Sequence, residues 1–355
     1  MTEASTQQDI RALVATARAD FVESFASREQ LRALKPTTSL KDSDASTELD
    51  KLSRIIKAHA TKVGIIYHPG KFHKNVTPAF KELQLFSNSI FFLLSLLPLL
   101  HTDKIADYFT DELDSAVLGL LSGVKGLCDE IDSLLDGKAA PAPGNDVPET
   151  AEHDLRLVSV GKIWASCDSL QELAKLGNLG LLNKRIGASV KLITDSLSEL
   201  DEWLQDPELE SQDPFGLESE PESDAERDTS GDKEVLAEMV KFLEAWQQKL
   251  KMIRLLLSSF SKSIASEEYK SKEPLALQLA KLNTLHAVVV EKVDELISTV
   301  FMTGQDFDPE DEEITELVSL LNDSLRKMVQ IIKALNKGDE KKGKWIEVWD
   351  AKYFA

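Results

Sequence analysis

The sequence predicts an all-α protein, built as two antiparallel helical bundles of the up-and-down kind joined by an acidic disordered linker. Three observations predict it. Apolar residues recur at i, i+3, i+4 and i+7 in nearly every long segment, while sustained alternation of period two is almost absent. Segments of about 25 residues, roughly 37 Å long as helices, are separated by short Pro- or Gly-containing connections that force neighbours antiparallel. Residues 201–232 carry thirteen Asp or Glu against one basic residue, Arg227. A chain of 355 residues exceeds what one hydrophobic core usually organises, so two domains are expected. Their limits are read as 1–205 for an N-terminal bundle, 206–232 for the linker and 233–355 for a C-terminal bundle with an aromatic tail.

The first helix is predicted from about Thr6 to Leu34, with Ile10, Leu13, Val14, Ala17, Phe21, Phe25 and Leu31 on one stripe and Pro36 ending it. A second starts near Ser46, where Ser46 and Thr47 offer capping hydroxyls, and runs to about Tyr67. His68-Pro69-Gly70 reads as a turn. The third helix begins near Pro78, tolerated in a first turn, and ends at Pro98. It contains the most apolar window of the chain, Leu83 to Leu100. Its uninterrupted apolar part is short for a bilayer, which favours a buried core helix over a membrane or interfacial segment. Thr102-Asp103 looks like the cap of a long helix through Leu134. Gly137 to Pro148 reads as an exposed loop. Helices are then predicted over about Asp154 to Leu176 and Asn183 to Leu204, with a pause at Gly177-Asn178-Leu179-Gly180.

Residues 1–200 hold 27 acidic and 22 basic residues and residues 233–355 hold 21 and 18, so twelve of the twenty net negative charges belong to the linker. That density of like charge, with Pro207, Pro214 and Pro221, predicts disorder over most of Glu208 to Gly231. Strong amphipathic helices follow: one through Leu236 and Phe260, one from about Pro274 to Val300, one from about Pro309 to Leu335. Three long helices leave a bundle one short. Either the tail supplies the fourth, or an upstream helix crosses over.

Catalytic chemistry finds no support in the sequence. There is no G-x-x-x-x-G-K-[ST], no G-x-G-x-x-G opening a helix after a strand, and no H-E-x-x-H. His68 and His73 straddle a turn without a convincing third ligand. Cys128 and Cys167 lie within apolar patterns, too few for a disulfide framework, and fit a reducing compartment. No metal or cofactor is expected. A net charge of −20 opposes direct binding of nucleic acid, and the amino terminus lacks the pattern of a signal peptide.

Two features point to interaction. Trp345, Trp349 and Tyr353 recur at a spacing of four, with Phe354 beside them, as an amphipathic hook. It either folds back into a groove of its own bundle, burying aromatic surface, or inserts in a partner's groove. Ser219, Ser223 and Thr229 each stand three residues before a carboxylate, the pattern acidophilic kinases favour.

The Phe91-Phe92-Leu93-Leu94-Ser95-Leu96-Leu97-Pro98 and Val160-Gly161-Lys162-Ile163-Trp164-Ala165-Ser166-Cys167 segments carry a family resemblance. So do the acidic insert around Asp213-Pro214-Phe215-Gly216-Leu217 and the Lys249-Leu250-Lys251-Met252-Ile253-Arg254-Leu255-Leu256 stretch. Over about residues 48 to 336 the chain resembles the cyclin-D-binding protein family, also called the GCIP or cyclin-D-interacting family, in a divergent, fungal form. The resemblance implies helical bundles like those of vinculin and α-catenin. It also implies a non-enzymatic role in cytoplasm and nucleus, regulating cell cycle or transcription by binding cyclin or helix-loop-helix type partners through helical faces. The alternative reading is a cytoskeletal or trafficking adaptor, and a third is an enzyme whose site assembles between bundles. No site residue carries over from the family.

Overall fold

The computed structural model describes residues 3–137, 155–209, 230–264 and 276–355, and among them there is no strand. The chain divides into two compact units, Met1–Asn178 and Leu179–Ala355. The first holds α1 (Glu3–Ala17), a π-helical turn (Arg18–Glu23), α2 (Arg28–Arg32), α3 (Ala45–Ile66), α4 (Pro69–Phe72), α5 (Val76–Leu96) and α6 (Asp107–Leu135). Helix α7 (Leu155–Trp203) is broken at Gly177, where φ is 61° and ψ −172°, so its first arm belongs to the first unit and its second arm to the other. The second unit continues with α8 (Ser230–Ser263), α9 (Ala276–Thr303), α10 (Glu312–Leu335) and α11 (Glu340–Tyr353).

Several local expectations are corrected. The predicted helix over 6–34 is interrupted because Ser27 and Gln30 form a capping box: the Gln30 N–H donates to the Ser27 side chain, and Gln30 Oε1 accepts from the Ser27 N–H at 3.0 Å. Two orphan donors are satisfied there, so a new helix starts. Asp44, not Ser46 or Thr47, caps α3, its carboxylate accepting from the Thr47 N–H at 2.9 Å and the Thr47 hydroxyl at 2.6 Å. His68 caps the single turn α4 through Nδ1, which accepts from the Gly70 N–H at 3.1 Å. Helix α6 starts at Asp107 instead of Thr102. Asn178, 72 residues further on, accepts from the Ala106 N–H at 3.1 Å, and its backbone carbonyl accepts the Tyr108 hydroxyl at 2.7 Å.

In the first unit the pairings form a ring of five rods. Arg11 meets Asp136, Arg18 meets Asp129 and Asp132, and Arg32 meets Asp111 and Asp114, so the N-terminal rod runs antiparallel to α6. Lys57 pairs with Asp168, and the Trp164 indole N–H donates to the Thr61 hydroxyl at 3.1 Å, which sets α3 antiparallel to the first arm of α7. His59 facing Glu82 and the Tyr67 hydroxyl donating to the Ala79 carbonyl set α3 antiparallel to α5. Five rods cannot alternate all the way round, so α1 and α5, which also pack together, run parallel.

Helices α6 and α7 approach each other closely. Gly119, Gly123 and Gly126 face Ser166, Ile163 and Ser159 in descending register, and the backbones come near because no Cβ intervenes. A Cβ on Gly123 falls 2.7 Å from Ile163 Cγ1 and 3.0 Å from the Ser159 carbonyl oxygen.

The second unit repeats the arrangement. Arg185 donates to Asn283 at 3.0 Å, the Ser189 hydroxyl lies 3.0 Å from His286 Nδ1, and Trp203 packs on Phe301, so the second arm of α7 runs parallel to α9. Residues 304–311 reverse the chain into α10, and Lys333–Asp350 and Arg326–Phe354 bring α11 back along it. The Trp349 indole N–H donates to the Met252 carbonyl at 2.8 Å and Lys249 faces the Tyr353 ring, so α11 runs antiparallel to α8. These units differ from the expected division at 205 and 233: residues 179–203 supply the rod that the C-terminal helices lacked, with Leu182, Ile186, Ile193, Leu197 and Leu200 buried. Residues 230–232, read as linker, open α8.

Gly123→Ala is expected to lower stability by about 1–3 kcal/mol, because the α7 backbone must give way and overpacking outweighs the gain of up to about 1 kcal/mol in helix propensity. Gly161→Ala, whose Cβ meets nothing within 4 Å, is expected to stabilise. Chemical denaturation of both variants checks the pair.

Candidate functional site

The aromatic tail was the sequence's clearest candidate. Trp349 and Tyr353 are buried and stacked, with ring centroids 4.9 Å apart and planes 8° from parallel; Phe354 lies edge-on to Tyr353 at 4.8 Å. Cations face the same cluster: Lys249 Nζ is 5.7 Å from the Tyr353 ring and the Arg326 guanidinium 3.9 Å from that of Phe354. Trp345 is only half-buried and lines a small apolar recess with Ser259 and Lys262. In this structure the tail therefore fills the seam between α8 and α10 of its own unit. The Ile346 side chain, which the spacing of aromatics did not single out, is fully buried on the same face.

Ser219, Ser223, Thr229 and most of the acidic linker 206–232 lie outside the described residues, as does His153. The other histidines serve the fold. His101 Nε2 is 2.8 Å from Asp114, a carboxylate with no solvent exposure that also accepts from Arg32 Nε at 2.6 Å. A buried carboxylate needs such partners, since an unpaired charge is costly to desolvate. His68 caps α4, and His73 lies edge-on to Phe72 at 5.8 Å. Cys128 and Cys167 are free and buried, and burial pushes each thiol up to about 12, away from thiolate reactivity. Among the described residues no group of three or more His, Cys, Asp or Glu is placed to hold a metal ion.

The surface offers a better candidate on α5. Its inner face, including Leu83, Phe86, Ile90, Leu93 and Leu94, is buried, and α5 packs on α3 and α1. Its outer face carries Leu85, Phe91 and Phe92, exposed to 48%, 57% and 57%, with the two phenyl rings edge-on at 5.9 Å. Positions 85, 88, 91 and 92 fall on one helical stripe, so these aromatics form a patch and are not scattered singly. By length and composition the segment Val76–Leu99 also meets the requirement for crossing a membrane, and half of its apolar window is buried within the protein. The sequence signal for the patch was present as unbroken hydrophobicity at 90–94, but periodicity alone did not say which side is left uncovered.

Trp349→Ala is expected to cost about 3–5 kcal/mol from lost packing, and Trp349→Phe about 0.5–1.5 kcal/mol from loss of the indole bond to Met252. Urea denaturation monitored by circular dichroism measures both. A pH effect follows from His286, whose Nε2 is buried without a hydrogen-bond partner and whose pKa is lowered to about 4, first by burial and then by the charge of Arg185. The unfolded chain takes up the proton near 6.5, before the folded one does. The stabilisation is thus fully present above about 6.5 and is lost as pH falls toward 4, at up to about 1.4 kcal/mol per pH unit. His286→Phe is expected to flatten that part of the stability curve measured between pH 7 and 4.

With this geometry in hand, comparison with known proteins assigns the family. The profile described as Grap2 and cyclin-D-interacting, N-terminal, matches residues 48–206, and the corresponding C-terminal profile matches residues 201–330. The profiles thus meet at 201–206, whereas the compact units meet at 178–179, and α11 lies beyond both profiles. An uncharacterized protein of Saccharomyces cerevisiae is 34% identical over 338 residues, covering 94% of this chain and 92% of the yeast protein. An uncharacterized protein of Schizosaccharomyces pombe is 20% identical over 260 residues, covering 73% and 68%. The all-helical, fungal form of the resemblance is therefore shown, and the chain belongs to the Grap2 and cyclin-D-interacting family.

Proposed function

We propose that this is a non-enzymatic interaction protein of cytoplasm and nucleus that regulates the cell cycle or transcription by binding cyclin or helix-loop-helix type partners. The family description supports a role in protein interaction. The observation that carries a docking mode is the outward aromatic stripe of α5, where Leu85, Phe91 and Phe92 leave apolar area uncovered beside a rigid, buried inner face. A partner's amphipathic helix laid along that stripe removes the rings from water, and each aromatic so covered contributes about 1.5–3 kcal/mol of transfer free energy before the costs of association.

Affinity purification of the tagged full chain from its native cell is expected to recover cyclins or transcription regulators. The double variant Phe91→Ser, Phe92→Ser is expected to lose them while keeping its thermal stability, since exposed positions contribute little to folding. Recovery of actin or coat components in their place points to the adaptor reading and overturns this one. Phosphorylation of Ser219, Ser223 or Thr229, each adding about −1.5 to −2 charges, belongs to the same proposal. Intact-mass analysis of native protein is expected to locate it there, and linker peptides found without modification discard that part.

A further inference from the structure

A cleft of about 690 Å³ opens in the second unit where the second arm of α7 ends, α8 begins and α9 gives way to its terminal turn. Its walls are Trp203, Phe301 and Met239, and its polar lining comes from Glu199, Asp206 and Glu208. The volume lies in the usual range for ligand pockets, about 300–1,000 Å³. The rings of Trp203 and Phe301 pack on each other with centroids 5.4 Å apart and planes tilted by 58°, and both line the cleft. The Trp203 indole N–H is already committed: it donates to the Glu208 carbonyl at 3.2 Å, fixing the turn that brings Asp206 and Glu208 to the rim.

The charge balance of this cleft is one-sided. Among the described residues, none that lines it is basic, and none of Glu199, Asp206 and Glu208 forms an ion pair. In the first unit Asp111, Asp129 and Asp132, by contrast, are each matched by an arginine. Three unmatched carboxylates around two π faces make an environment that a cation completes. A guanidinium suits it better than an ammonium, because its plane stacks on indole and phenyl faces while its edge forks to carboxylates.

We infer that this cleft is a binding site for an arginine side chain presented on a basic peptide segment of a partner protein. The volume exceeds one side chain and so accommodates the flanking peptide as well. This goes beyond the α5 surface and lies in the other unit. It is tested with purified protein and a defined ligand, so its failure leaves the α5 reading untouched.

The test follows the methionine methyl signals of the full-length protein at about 150 mM salt, where the Debye length is about 8 Å and distant acidic residues are screened. The probe is the capped pentapeptide Ac-Gly-Gly-Arg-Gly-Gly-NH2, alongside its lysine counterpart and spermidine. The Met239 methyl is expected to shift saturably with the arginine peptide while that of Met328 stays in place. The lysine peptide is expected to bind several-fold more weakly. The double variant Glu199→Gln, Glu208→Gln, which keeps the shape of the cleft, is expected to weaken binding at least tenfold, and Trp203→Phe by a smaller factor. An unmoved Met239 at millimolar peptide overturns the assignment, as does equal binding by the double variant. Spermidine binding more tightly than the arginine peptide overturns the peptide ligand in favour of a free polyamine.

Discussion

Gly177 sets the constraint on which the two-unit organisation depends. Its φ of 61° and ψ of −172° place it in a region of backbone space that is essentially reserved for glycine, since a Cβ there collides with the chain's own backbone. The apolar stripe of α7 is thereby cut in two. Residues before the break, including Val160, Ile163, Cys167 and Leu170, cover the first unit, and residues after it, from Leu182 to Leu200, cover the second. Asn178 follows at once and spends its side chain on the Ala106 N–H and the Lys104 carbonyl, tying the end of the first unit to the start of α6.

Odd-numbered rings of rods have consequences for polar groups. Among the described residues, α1 runs parallel to α5 in the first unit, and the second arm of α7 runs parallel to α9 in the second. Asp114, in the first unit, is held by His101 and Arg32, and Arg18 spans Asp129 and Asp132 from a π-helical turn. The partners come from segments far apart in sequence, so these bonds specify which rod lies beside which. A surface pair such as Lys125 with Asp129 contributes only a few tenths of a kcal/mol. The buried Asp114 is different, because removing one partner leaves a desolvated charge. In the second unit His286 plays the opposite part, kept neutral beside Ser189 and vulnerable only when acid forces a proton on it.

The aromatic tail shows how function and packing compete for the same residues. Three aromatics at a spacing of four describe an anchor without saying whose groove receives it. Here the seam between α8 and α10 receives it, and Trp349 finds the Met252 carbonyl. The surfaces proposed for interaction lie elsewhere: an apolar stripe on α5 whose inner face is already occupied, and an acidic aromatic cleft at the end of α7. Neither stands out as a motif. The first hides within a run of hydrophobic residues, and the second joins residues about 100 positions apart, Trp203 and Phe301.

The helices, their approximate ends and the absence of strands among the described residues were legible in the sequence, because a period of 3.6 residues is a local property. Family membership was legible from short packing segments. The sequence left open whether a helix upstream of the linker serves the downstream unit, and it did not show that Ser27 and Gln30 interrupt the first helix, that α1 and α5 run parallel, or that the outer side of α5 stays bare. Those outcomes are set by which apolar faces meet across long stretches of chain, and by close approaches such as Gly123 against Ile163. Only three-dimensional packing decides them, since many pairings satisfy the same periodic pattern and few satisfy the shapes.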